Sequence, residues 1–198
     1  MKKLFAALAL IFIFNNTIVF GQTQRQSSSR VVYTPIVISA DDITTTTEAK
    51  GIIQEILDAV NITETVEVAS STRVPNAAAV MYRNKRYIFY NPAFVAAIGK
   101  VSGESKWTAT AIFAHELGHH FFRHTDKKMA SNPDIELEAD AFTGYALRRM
   151  GATLEESQLS MKMIANRRGS LTHPGRHDRL AYIAAGWTIA DKQLTEEG

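Results

Sequence analysis

The chain has 198 residues, 45% of them hydrophobic and 21% charged, with 22 basic and 20 acidic side chains, six His and no Cys. This is one domain's worth of ordinary globular sequence, which excludes a disordered or collagen-like chain. Without Cys there is neither a disulfide framework nor thiolate chemistry, so any metal must be held by His, Asp and Glu.

Met1, Lys2 and Lys3 give a positive start and Leu4 to Phe14 an unbroken apolar run, the pattern of a secretory signal peptide over residues 1–21 with cleavage before Gln22. The run is shorter than the roughly 20 apolar residues a bilayer needs, and Asn15, Asn16 and Thr17 interrupt it. An uncleaved N-terminal anchor is the alternative reading, and the absence of Cys after the run excludes a bacterial lipid anchor. Lys2 and Lys3 leave with the leader, so the mature chain balances its basic and acidic residues. That neutrality argues against nucleic acid as a partner. The expected location is periplasmic or secreted.

Residues 22–44 read as a flexible lead-in, polar and Ser-rich at first, with a possible first strand at Val31 to Ser39. The single domain is expected over 45–190, followed by a polar tail at 191–198. Thr45 with Glu48 fits a capping box, and Ile52, Ile53, Ile56, Leu57 and Val60 recur at helical spacing, predicting a helix over about 46–60. Thr65 to Ser70, Ala77 to Tyr82 and Arg86 to Tyr90 read as strands, with Arg83, Asn84 and Lys85 as the turn between the last two. From there the pattern is helical. Asn91 and Pro92 open a short helix to Ile98, ended by Gly99. Ser105 to His124 carries Trp107, Ile112, Phe113, Leu117, Phe121 and Phe122 around most of its circumference, as a central buried helix does. Asn132 and Pro133 open a helix to Met150 that stops at Gly151, and Thr153 with Glu156 caps another to about Asn166. Pro174 starts the last, expected to end at Gly186.

All six His fall between His115 and His177. Residues 115–119 read His-Glu-Leu-Gly-His, and on a helix the i, i+4 spacing sets both imidazoles on one face, the geometry that grips one zinc ion. Glu116 is rotated by about 100°, which suits a general base leaning over a metal-activated water better than a third ligand. The bland alternative is a pair of surface His. A metzincin is excluded, because Phe122 and Thr125 stand where its Gly and third His belong. A gluzincin takes a Glu from a following helix, and Glu136, Glu138 and Asp140 lie in one. Glu136 and Asp140 share a face, so if Glu136 binds metal, Asp140 can reach the far ring nitrogen of a ligating His. Glu138 points elsewhere, to solvent or a salt bridge. The alternative is that all three form a solvated acidic face.

His115 to His119 with His124 five residues on, Glu136-x-x-Ala139-Asp140, and a late His173-Pro174 with Arg179 resemble the zinc metallopeptidase family that contains the heat-shock protease HtpX and the type I CAAX prenyl protease, peptidase family M forty-eight. Pro75 to Ala79 is similar to that family's Asn-Ala-x-Ala segment, and the likeness covers about residues 75–180. It implies His115, His119 and Glu136 as ligands of one zinc ion per chain and Glu116 as general base. It further implies Asp140 as a partner behind a ligand, His173 as a group that steadies the oxyanion or blocks the open site, and Arg179 as an orienting residue. His120, His124 and His177 are expected to have structural or solvent-facing roles. The implied fold is α+β and zincin-like, a small sheet packed on a mainly helical C-terminal half that carries the His-Glu-x-x-His helix. Nothing after residue 21 could span a membrane, so the likeness is to soluble, exported, minimal-domain members. The expected activity is metalloendopeptidase action on extended or unfolded polypeptide. The rival expectation is a zinc-stabilised binding module in which His173 closes the metal site.

Overall fold

The computed structural model describes residues 47–103, 105–125 and 132–197. The expected leader, the lead-in with its strand at 31–39, and Thr45 of the first capping box lie outside the described residues. The described architecture is α+β: α1 (Thr47–Ala59), β1 (Val66–Ser70), β2 (Ala77–Tyr82), β3 (Lys85–Tyr90), α2 (Pro92–Val101), α3 (Lys106–Phe121), α4 (Pro133–Arg149), α5 (Leu154–Ile164) and α6 (Arg176–Glu197). No helix among the described residues is long and apolar enough to cross a membrane.

The sheet is mixed, in the order β1-β3-β2, with β1 parallel and β2 antiparallel to β3. The hairpin turn is two residues rather than three: Arg83 and Asn84 both have positive φ, 47° and 62°, the left-handed pair whose twist matches that of the flanking strands. β2 lies at an edge. The Asn91 amide donates to the Asn76 carbonyl at 2.7 Å, which makes Ala78 with Phe89 and Val80 with Tyr87 the hydrogen-bonded pairs of the ladder. Ala77, Ala79 and Met81 therefore turn their main-chain groups away from β3.

α3 is the buried helix that its apolar circumference predicts, with Phe113, Ala114, Ala111, Leu117 and Trp107 all in the core. Its inner end is pinned to the sheet by the Tyr90–Phe113 ring contact at 5.3 Å and by His120, whose Nε2 meets the Tyr87 carbonyl at 2.9 Å. α3 crosses α4 closely because position 118 is glycine: a Cβ there would lie 2.9 Å from the Ala139 Cα and 3.2 Å from the Phe142 Cβ. That crossing sets the His115–His119 face against Glu136 and Asp140.

Three helix ends differ from expectation. α2 runs through Gly99 to Val101, and the stop is Gly103 at φ +69°; a helical glycine costs only about 1 kcal/mol, whereas a left-handed residue ends the helix. α3 stops at Phe121 rather than His124, because Arg123 takes φ +61° and turns the chain back. α6 passes straight through Gly186 and continues to Glu197. Gly186 is there for packing, since a Cβ would run into the Ala141 carbonyl, and Gly144 of α4 likewise abuts the Ile183 carbonyl. The two glycines let α4 and α6 touch backbone to backbone. The far end of α6 is fastened by Arg148 to Asp191 at 2.8 Å and Arg149 to Glu197 at 3.0 Å.

Candidate metal centre

Asn132 accepts from the Asp134 and Ile135 amides, and Pro133 takes the first turn, so α4 starts squarely with Glu136 in that turn, where the helix N-terminus favours a negative charge. One turn on is Asp140. Opposite them, one ligand atom each from His115, His119 and Glu136 lies within 4.8 Å of the others, a group that could hold a metal ion. The His115 and His119 Nε2 atoms are 3.3 Å apart, and Glu136 reaches the first at 3.3 Å and the second at 3.8 Å. Glu136 and Asp140 are 5% and 0% exposed, which rules out the solvated acidic face.

Each ring presents Nε2 to the centre because its Nδ1 is occupied. Asp140 Oδ1 meets His115 Nδ1 at 3.1 Å. The Asp140 carboxylate is in turn gripped by both arms of Arg179, Nε at 2.7 Å and Nη2 at 2.8 Å, and Arg179 Nη2 lies 3.7 Å from Glu136. Behind His119 stands His124, Nδ1 to Nδ1 at 3.0 Å. Donor chemistry and orientation thus fit a borderline cation that takes two imidazoles and a carboxylate.

The charges are strongly coupled. Burial alone would depress the His115 pKa, but its hydrogen bonds to Asp140 and Glu136 outweigh that and raise it to about 10. Burial, aided by the neighbouring His115 charge, lowers His119 to about 3. For Glu136 burial opposes ionisation, yet the His115 contact holds the carboxyl well below the usual range. Arg179 also gains more from Asp140 than it loses by burial, so its pKa rises and it stays charged. Glu116 goes the other way: burial, with repulsion from Glu136, pushes its pKa up.

Glu116 is not in the ligand group. Its Oε2 accepts from the outward-facing Ala79 amide of β2 at 2.7 Å, which places it between the sheet edge and the metal cluster. His173 Nε2 comes to 3.9 Å from Glu136 while its side chain stays half-exposed. It rides on a loop that bonds to itself, with Ser170 N–H donating to the His173 carbonyl at 2.7 Å and the His173 amide to Ser170 Oγ at 3.0 Å. Gly169, at φ +73°, closes the base of that loop, since a Cβ there would meet Gly175 N at 2.6 Å. His177 faces solvent beside Asp178.

His120, expected to have a structural or solvent-facing role, is buried and joins α3 to β3. Glu138, expected to face solvent or form a salt bridge, contacts His124 Nε2 at 2.8 Å. No sequence pattern places His124 against His119, where the structure has it. On a continued helix, five residues is about 140° of rotation, which points His124 away; the turn at Arg123 brings it back. Comparison with protein-family models, with curated proteins and with solved structures finds no match to this chain.

Proposed function

We propose that the chain is an exported zinc-dependent metalloendopeptidase that cleaves extended or unfolded polypeptide. The observation carrying this reading is the convergence of His115, His119 and Glu136 beside a carboxylate, Glu116, that none of the three ligand positions uses. A structural metal site would have no need of that fourth group. Bound zinc supplies Lewis acidity, lowering the pKa of water towards about 7 and polarising the scissile carbonyl. Glu116 takes the proton of the attacking water and delivers it to the leaving nitrogen. His173, held on a self-bonded loop, donates to the developing oxyanion. The outward main-chain groups of Ala77 and Met81, with the Ala79 carbonyl, pair with an extended substrate backbone, while the Ala79 amide stays with Glu116. Such pairing reads little side-chain identity, which suits broad action on misassembled envelope proteins.

Elemental analysis is expected to find about one zinc per chain, lost in His115→Ala. Glu116→Gln keeps the metal and loses about 10²–10⁴-fold in casein cleavage; equal residual activity in the variant and the wild type defeats the peptidase reading. The approach of His173 to within 3.9 Å of Glu136 favours one rival, a binding module in which His173 closes the metal site. His173→Ala discriminates, since loss of turnover with zinc retained supports catalysis, whereas a gain of turnover supports closure.

A further inference from the structure

We infer that Glu138 and His124 are positioning residues for the metal centre, acting through His119; the inference rests on the metal-binding reading above. An ionised carboxylate has no proton to give, so in the 2.8 Å contact between Glu138 Oε2 and His124 Nε2 the imidazole donates. A His119 that offers its Nε2 lone pair to a metal carries its proton on Nδ1, and it can donate that proton across to His124 only where His124 has a lone pair on Nδ1 and its proton on Nε2. The two Nδ1 atoms are 3.0 Å apart. His119 Nε2 then keeps its lone pair, and this is the atom 3.3 Å from His115 Nε2 and 3.8 Å from Glu136. A half-exposed carboxylate outside the site thereby fixes which nitrogen of His119 can bind a metal.

The ring positions are held as well as the protons. The His124 amide donates to the His119 carbonyl at 2.9 Å, and Phe122 stacks on the His124 ring at 5.7 Å and 22°. Asp140 does for His115 directly what Glu138 does for His119 through one imidazole. The two carboxylates leave α4 on different sides, and each orients one His of α3. Without its partner His119 can adopt either tautomer and either ring flip, and both alternatives remove the lone pair from the centre.

The test is zinc affinity of the metal-free full chain, measured by competition with a chromophoric chelator. Glu138→Ala is expected to weaken zinc binding about 10–100-fold. Glu138→Gln, whose amide oxygen still accepts from His124 Nε2, recovers most of that loss, which a role in charge alone does not allow. In a His124→Ala background, Glu138→Ala has no further effect; additive losses overturn the relay. Affinity within twofold of wild type in Glu138→Ala also overturns it and leaves the metal centre standing, whereas wild-type protein that binds no zinc removes both. Should the alanine variants fail to fold, imidazole nitrogen NMR of zinc-loaded wild type decides: protons on His119 Nδ1 and His124 Nε2 are expected, and a proton on His124 Nδ1 overturns the assignment.

Discussion

Arg179→Met separates the stability of the centre from its function. Arg179 is 7% exposed and Asp140 0% exposed, and the substitution removes both charged bonds, at 2.7 and 2.8 Å, from a carboxylate that water cannot reach. Breaking one side of such a buried pair costs about 3–5 kcal/mol. For a chain of this size about 2–4 °C of Tm accompanies each kcal/mol, so calorimetry of the metal-free protein is expected to show a fall of about 6–20 °C. The second variant, Arg179→Met with Asp140→Leu, replaces the pair by apolar groups and is expected to regain most of that stability, since well-packed apolar replacements of buried pairs are often neutral or better. It does not regain zinc affinity, because His115 Nδ1 has lost the oxygen 3.1 Å away that orients the ring. A single variant whose stability stays within about 1 kcal/mol of wild type, or a double variant that melts as low as the single, refutes the view that Arg179 offsets a buried excess of negative charge.

Gly186→Ala drives a Cβ into the Ala141 carbonyl, with backbone on both sides and no flexible group to yield; a loss of about 3 kcal/mol or more is expected in urea unfolding. Gly51 in α1 is exposed with nothing within 4 Å of a new Cβ, so Gly51→Ala should stabilise by about 0.5–1 kcal/mol, and a loss there contradicts the placement of α1. Zinc binding near pH 7.5 should release about one proton, because His115, raised to about 10, is charged before the metal arrives; calorimetry in buffers of different ionisation enthalpy measures this, and zero release refutes it. The same raised value works on the metal-free fold. Its stabilisation is complete below pH 6.5 and is lost as the pH climbs through about 10, so the Tm of metal-free protein should drop over that interval.

The sheet, the helix order and the ligand face were legible because each rests on local chemistry. Asn132 with Pro133 and Thr153 with Glu156 start their helices as caps do, and the i, i+4 spacing of His115 and His119 needs only a helix to become a metal face. What stayed hidden was decided by packing. Gly186 reads as a stop and is a contact surface, because nothing local says that α4 will lie against it. Arg123 has no turn signature, yet its φ of +61° converts His124 from a bystander on the wrong side of a helix into the neighbour of a ligand. Likeness to a family pointed to Asp140 and Arg179 separately, as a partner behind a ligand and an orienting residue, but nothing in the sequence paired them across 39 residues.

The metal-free centre also explains how so much charge can be buried in a fold of this size. Glu136 and Asp140 bring two negative charges and Arg179 one positive, leaving an excess of one that desolvation would make costly. The proton on His115 cancels it, and the two carboxylates that hold this proton are the cause of its raised pKa. The proton occupies the side of the centre where a cation is wanted. Exchanging it for a divalent ion keeps the carboxylates satisfied and makes the site one charge more positive, on the side where Glu116 and His173 stand. The arrangement that stabilises the metal-free fold is therefore also the one that attracts a cation. An isolated pair of surface histidines would have no such field, and zinc affinity would then be insensitive to Arg179 and Asp140.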